Sequence, residues 1–200
     1  MKLPKRVSSG RYVDLNDLRV DDVEISDINR SLNYLYRFTG HHKDVEPLTV
    51  AQHTKLTMML SRILYPDDIV VEFDCLLHDF PEYLYGDMST PIKHKLGAVC
   101  KDYTLTIDSV VYKKLWLLSE DSSLVDKEVY KKRKICDGIS LDIERRIMWK
   151  DQRGKDYWPE VESPFNMKEN YKMFKEAQST RFVDLEAEYN RLITRYWDMQ

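Results

Sequence analysis

The chain has 200 residues, 42% of them hydrophobic, enough for one globular domain with a sizeable core. Its 31 Lys and Arg against 34 Asp and Glu give a formal net charge of -3, which argues against wholesale electrostatic capture of nucleic acid and predicts no stable nucleic-acid partner. No apolar stretch approaches a membrane span, and Met1 to Arg6 leads into no apolar segment of the signal type, so a cytoplasmic protein without a membrane partner is expected.

The pattern along the chain is helical almost throughout, and no convincing run of strand alternation competes with it. Ile25, Ile28, Leu32 and Leu35 recur at spacings of three and four, one apolar stripe that ends near Arg37-Phe38-Thr39-Gly40. Thr49 and Gln52 form a capping box for the next helix, where His53, Leu56, Leu60 and Leu64 share a face, so His53 is expected on the buried side. Pro66-Asp67 punctuates before a strongly apolar segment from Ile69 to His78, expected to be buried on several sides. Pattern alone leaves Ile69-Val70-Val71 open between helix and strand. Gly86 and Pro91 break the next stretch. Further helices are predicted within residues 105–118, 127–149, 166–179 and 182–197. The loop from Gly154 to Pro164 is the candidate joint before a C-terminal helical hairpin, read as packing onto the same core or onto a second subunit.

Cys75, Cys100 and Cys136 are odd in number and lack CxxC spacing, so neither a disulfide framework nor a zinc ribbon is indicated. They read as reduced thiols, and Cys75 and Cys136 as small core residues.

The chemistry gathers at His78-Asp79. A histidine and an aspartate side by side at the end of a buried helix make a poor core but half of a metal site, because imidazole nitrogen and carboxylate oxygen can reach one divalent ion. His53 would supply a third ligand and Asp137 a fourth. An isolated His-Asp pair, by contrast, usually sits on a solvated surface, and only context raises it.

That context resembles the HD-domain metal phosphohydrolases from about Ile25 to about Trp149. Thr49-Val50-Ala51-Gln52-His53 is similar to the family's first motif. The stretch from Cys75 through His78-Asp79-Phe80-Pro81-Glu82 to Gly86-Asp87-Met88-Ser89-Thr90-Pro91-Ile92-Lys93 is similar to the second, in the branch of bacterial 5'-deoxynucleotidases and phage dATP triphosphohydrolases. Asp137, followed by Glu144 and Arg145, resembles the last ligand and its helix. The resemblance implies an all-α HD-domain bundle, with a core over about 25–150 and a C-terminal extension over about 165–199. It implies a divalent metal (Mn, Co, Zn or Fe, with an additional Mg on substrate phosphates) and a homo-oligomer.

The implied activity is hydrolysis of a small nucleotide substrate, favoured as release of triphosphate from a dNTP. The alternatives are a 5'-deoxynucleotidase acting on dNMPs and a non-catalytic binding module or scaffold. Glu82 would align or deprotonate the attacking water; otherwise it is a favourable carboxylate in the first turn of a short helix. Asp87 would accept a bond from a sugar hydroxyl or orient a water, and otherwise belongs to an ordinary Gly-Asp turn. Arg37 matches by position an arginine that contacts phosphate in the related nucleotidases, where its planar fork suits two oxygens; otherwise it is a solvated helix-end charge. Lys93 is a second phosphate candidate. Phe38 stands where relatives often carry tryptophan, which keeps an aromatic platform for the nucleoside. His41 reads as a structural or substrate-side residue and His94 as a polar residue on a short helix.

Overall fold

The computed structural model describes residues 2–42, 45–116, 127–150 and 161–199, and over these the protein is all-α apart from one small hairpin. The hairpin pairs β1 (Pro4–Arg6) antiparallel with β2 (Tyr12–Asp14), placing Lys5 opposite Val13. It was not legible as strand because each arm has three residues and only Val13 is buried, too short a run to show alternation.

The helices follow the predicted order. In α1 (Ile25–Tyr34), Ile28 and Leu32 of the expected stripe are buried. Then α2 (Val50–Leu64) opens on the capping box: the Gln52 amide donates to Thr49 Oγ1 (3.2 Å) and the Thr49 amide to Gln52 Oε1 (2.9 Å). Burial extends over almost all of α3 (Ile69–Leu77), which settles Ile69-Val70-Val71 as helix.

A single turn, α4 (Glu82–Tyr85), ends at Gly86, whose φ of +85° stops the helix. Pro91 lies in the first turn of α5 (Thr90–Leu96) and so starts a helix instead of breaking one, its missing N–H being no loss there. The next helix, α6 (Ala98–Leu115), begins well before Leu105. Its first turns are exposed except at Cys100 and carry no apolar periodicity to read. Leu117 and Leu118 lie outside the described residues.

The C-terminal half contains α7 (Lys127–Met148), α8 (Met167–Ser179) and α9 (Leu185–Asp198). Asn166 caps α8 by accepting from the amides of Lys168 and Glu169, and Asp184 caps α9 by accepting from Ala187, so α9 starts after Phe182. Of the expected joint, Gly154 to Glu160 lie outside the described residues. Val161 to Pro164 run against α7, where a Cβ on Gly138 would come within 2.9 Å of Val161 Cβ, so the two backbones meet closely at a glycine.

At the centre, α2 packs against α1, α3, α7 and α8, and α3 packs against α7 and α9. Leu56, Leu60, Phe73, Leu76, Leu77, Ile143, Phe174 and Leu192 belong to one buried cluster. Each such side chain contributes about 1.5–3 kcal/mol through burial. The C-terminal helices therefore dock on the same core. Their connection is stitched to α1 by buried asparagines: Asn33 Nδ2 donates to Val183 O (2.9 Å), Asn33 Oδ1 accepts from Val183 N (2.8 Å) and Asn29 Oδ1 accepts from Leu185 N (3.2 Å). This arrangement brings the first turn of α2, the C-terminal end of α3 and the middle of α7 to one point. No helix among the described residues is long and apolar enough to cross a membrane.

Candidate metal centre

His53 is fully buried on α2, His78 caps the end of α3, and Asp79 follows in the turn before α4. His53 Nε2 lies 3.3 Å from His78 Nε2 and 3.5 Å from Asp79 Oδ2, and His78 Nε2 lies 3.2 Å from Asp79 Oδ2. These donors form a group able to hold a metal ion. Asp137, from α7, brings Oδ1 to 3.4 Å from His53 Nε2 and 3.9 Å from His78 Nε2. Ligands about 2.0–2.2 Å from one ion stand roughly 3.0–3.5 Å apart at octahedral to tetrahedral angles, so the spacings among His53, His78 and Asp79 fit a shared cation, while Asp137 meets the window from His53 and stands wider from His78.

The chemistry of the imidazoles fits as well. His78 Nδ1 donates to the Cys75 carbonyl (2.8 Å), which can only accept, and His53 Nδ1 donates to Glu144 Oε1 (2.6 Å). If both rings are neutral, each turns an Nε2 lone pair toward carboxylate oxygens, an acceptor-only set that calls for a cation or a proton. Burial and the Arg37 cation disfavour a charged His53, yet Glu144 and Asp137 outweigh them and push its pKa up to about 10. Burial raises Asp79, but His78, His53 and Arg37 hold it below the usual carboxylate range; His53, His78 and Lys134 do the same for Asp137. The same positive demand that draws a proton to His53 suits a cation, and metal binding displaces that proton.

Glu144 stands in the sequence beside the last ligand of the resemblance, with no role assigned to it there. It is fully buried, and its spacing of seven from Asp137 places both on one face of α7, with Ser140 between them reaching His53 Nδ1 at 3.1 Å. A carboxylate behind a ligating imidazole fixes its tautomer and raises its basicity. Glu144→Gln should therefore weaken metal affinity by roughly 10–100-fold while leaving the fold intact, measured by metal content after dialysis and by circular dichroism. An unchanged affinity would reduce Glu144 to a core acid neutralised by Arg37.

Arg37 is not a solvated charge. Its side chain is 10% exposed, with Nη1 3.3 Å from Asp87 Oδ1 and 3.7 Å from Asp79 Oδ2, and Nη2 3.6 Å from Glu144 Oε2. Phe38 and Thr39 both have φ of +54°, a costly conformation for non-glycine residues, and the Phe38 amide donates to Asp87. Asp87 thus holds the strained corner that delivers Arg37 to the site. Phe38 meets Trp149 edge-on at 4.8 Å, and the Arg37 guanidinium lies 5.1 Å from the Phe38 ring.

Glu82, in the first turn of α4, is 3% exposed, and its Oε2 has no hydrogen-bond partner among the described residues. Burial, Asp79 and Asp87 push its pKa well up, with Arg37 and Lys93 opposing. Lys93 Nζ stands 3.7 Å from Glu82 Oε1. Lys134, which sequence reasoning does not single out, brings Nζ to 3.3 Å from Asp137 Oδ2. Its signal is a lysine three residues before a proposed ligand, a spacing too common to stand out. His41, His42 and His94 are exposed, and His42 bonds its neighbour Gly40 O (2.7 Å). Cys75 and Cys136 are fully buried, as expected of small core residues.

Fold and site together define an all-α protein with a His-His-Asp group able to hold a metal ion, buried at His53 and partly open at Asp79. No family model matches the chain. It is 31% identical over 154 residues to the uncharacterized protein YfdR of Escherichia coli (strain K12), covering 77% of this chain and 76% of that protein. It is also 38% identical over 96 residues to an uncharacterized protein of Rhodobacter capsulatus, covering 46% of this chain and 48% of that relative, so the chain spans about half the relative's length. The chain belongs to the family of YfdR.

Proposed function

We propose that this chain is a metal-dependent phosphohydrolase of the HD class that acts on deoxynucleotides, with release of triphosphate from a dNTP as the favoured reaction. The observation that supports it most is the convergence of His53, His78 and Asp79, with Asp137 alongside, next to a buried acid that has an unpartnered oxygen. A scaffold has no use for Glu82 in that state.

His53, His78, Asp79 and Asp137 would hold manganese, cobalt, zinc or iron, any of which suits imidazole and carboxylate donors. Such an ion supplies polarisation of a phosphate oxygen and a lowered pKa for a nearby water. Glu82 takes the proton of the attacking water, for which a carboxyl with a raised pKa is suited. Lys93 holds phosphate charge at the rim, and Arg37, clamped by Asp87, keeps a fixed positive charge beside Asp79. Phe38 offers an apolar ring at the same corner.

The test is incubation of metal-stripped and metal-reloaded protein with each dNTP and dNMP, followed by chromatography of the phosphate products. Triphosphate from a dNTP, lost on chelation and restored by metal, is the expected result. Orthophosphate from dNMPs would make the chain a 5'-deoxynucleotidase with the same ligands, and no turnover with any metal would make it a binding module.

A further inference from the structure

Each of the four donors at the metal centre is backed by another group. His53 leans on the Glu144 carboxylate, His78 on the Cys75 carbonyl and Asp79 on the Arg37 guanidinium, and those three supports are buried. Asp137 is backed from the surface instead, by Lys134, whose side chain is 51% exposed and whose Nζ lies 3.3 Å from Oδ2. The two oxygens of Asp137 are therefore divided: Oδ1 faces His53 at 3.4 Å and His78 at 3.9 Å, and Oδ2 faces the ammonium. As a helix pair the contact contributes little, because it is half-exposed and a lysine that precedes its acid stands in the weaker order on a helix. Its effect falls on the donor set.

We infer that Lys134 is a positioning residue that keeps Asp137 a one-oxygen ligand and so holds a coordination position free, a role that rests on the four-ligand centre of the hydrolase reading. A carboxylate ligates through one oxygen or through both. Two imidazoles and two one-oxygen carboxylates fill four positions, which leaves two in a six-coordinate centre, one for a water and one for a phosphate oxygen. Were Asp137 to turn its second oxygen inward, water and phosphate would compete for the position that remained. The turn is within reach of this side chain. Its 3.9 Å from His78 is wider than the 3.2, 3.3 and 3.5 Å among His53, His78 and Asp79, so the Asp137 carboxylate has to close on a bound ion, and the partner on Oδ2 decides how far it rotates. An ammonium suits that task, since it holds an oxygen by charge and N–H donation and has no lone pair to offer the ion.

The experiment is titration of the chelator-treated, desalted chain with Co(II), read by visible absorption and by calorimetry, in the wild type and in Lys134→Met, Lys134→Arg and Lys131→Met. Lys134→Met keeps the apolar stem and removes the charge. Its Co(II) bands should be weaker than those of the wild type, because this absorption falls as the coordination number rises. Its affinity for Co(II) should not fall, since the released oxygen joins the donor set. With nucleotide, kcat should drop by roughly 10–100-fold with little change in KM. Lys134→Arg, which keeps a cation at Oδ2, should restore the wild-type bands. Lys131→Met removes a charge nearby on the same helix that is paired with Glu128 at 2.6 Å, and it should leave the bands, the affinity and kcat unchanged. Wild-type bands in Lys134→Met overturn the inference, whether the affinity is unchanged, as for an ordinary surface pair, or lowered, as for a lysine that only orients Asp137. Weakened bands in Lys131→Met overturn it as well, because loss of charge alone would then account for the change, and so does a chain that binds no Co(II). The expected change of bands in a chain that turns over no nucleotide upholds the role of Lys134 and overturns the hydrolase reading instead.

Discussion

Asp79→Ala should abolish metal binding and turnover together while the helical content stays that of the wild type. The carboxylate lies 3.2 Å from His78 Nε2 and 3.5 Å from His53 Nε2, so its removal opens the group on the side that faces Arg37. The fold survives because the charge left behind is not orphaned: Arg37 keeps Asp87 at 3.3 Å and Glu144 at 3.6 Å. Breaking a buried pair costs about 3–5 kcal/mol only where the remaining charge has no other partner. Asp79→Asn, which keeps the shape and loses the anion, should behave the same way. Metal content after desalting, circular dichroism and a dNTP assay check the three parts separately. A variant that retains stoichiometric metal, or one that turns over substrate normally, would sink the ligand assignment.

How much of this was visible in the chain differs from element to element. The start of α2 was legible because a capping box is a local device: Thr49 and Gln52 sit three residues apart and meet without help from any distant segment. The burial of His53 followed from the face it shares with Leu56 and Leu60. By contrast, nothing local says that Glu144 reaches His53 or that Asp87 reaches back to Arg37 and Phe38, since those contacts span 91, 50 and 49 residues. The left-handed corner at Phe38 and Thr39 was equally hidden, because no glycine or asparagine marks those positions and the surroundings impose the strain. The hairpin of β1 and β2 and the exposed beginning of α6 were missed for a different reason: neither buries enough side chains to write a period. Patterning records what faces the core, and these segments barely do.

The polar interior follows from the same geometry. Asp79, Asp87, Glu82, Glu144 and Asp137 surround Arg37, His53 and His78, a density of charge that a protein optimised only for stability would replace with apolar packing. Sites of this kind exchange stability for function. Glu82 carries the sharpest form of that exchange, since its neighbours oppose its charge more than they support it.

Glu82→Gln should accordingly leave metal and substrate bound, cut kcat by roughly two to four orders of magnitude, and leave the protein as stable as the wild type or more so. The sign of the stability effect follows from the titration. A carboxyl whose pKa is raised in the folded state is held there at a cost when ionised, so at neutral pH a neutral amide of the same shape removes an unfavourable charge. Lys93 offsets little, being half-exposed and 3.7 Å away. The bland alternative gives the opposite sign: a carboxylate stabilising the first turn of α4 would lower the melting temperature when neutralised and leave the rate alone. A cation held by Asp79 would relieve the repulsion between Asp79 and Glu82, but not the effect of burial, so metal-loaded protein should show the same direction with a smaller gain. Steady-state kinetics that separate kcat from KM, together with thermal melts of both metal states, decide the matter. A near-normal kcat with a lowered melting temperature would return Glu82 to a structural role and move the search for the proton acceptor elsewhere in the site.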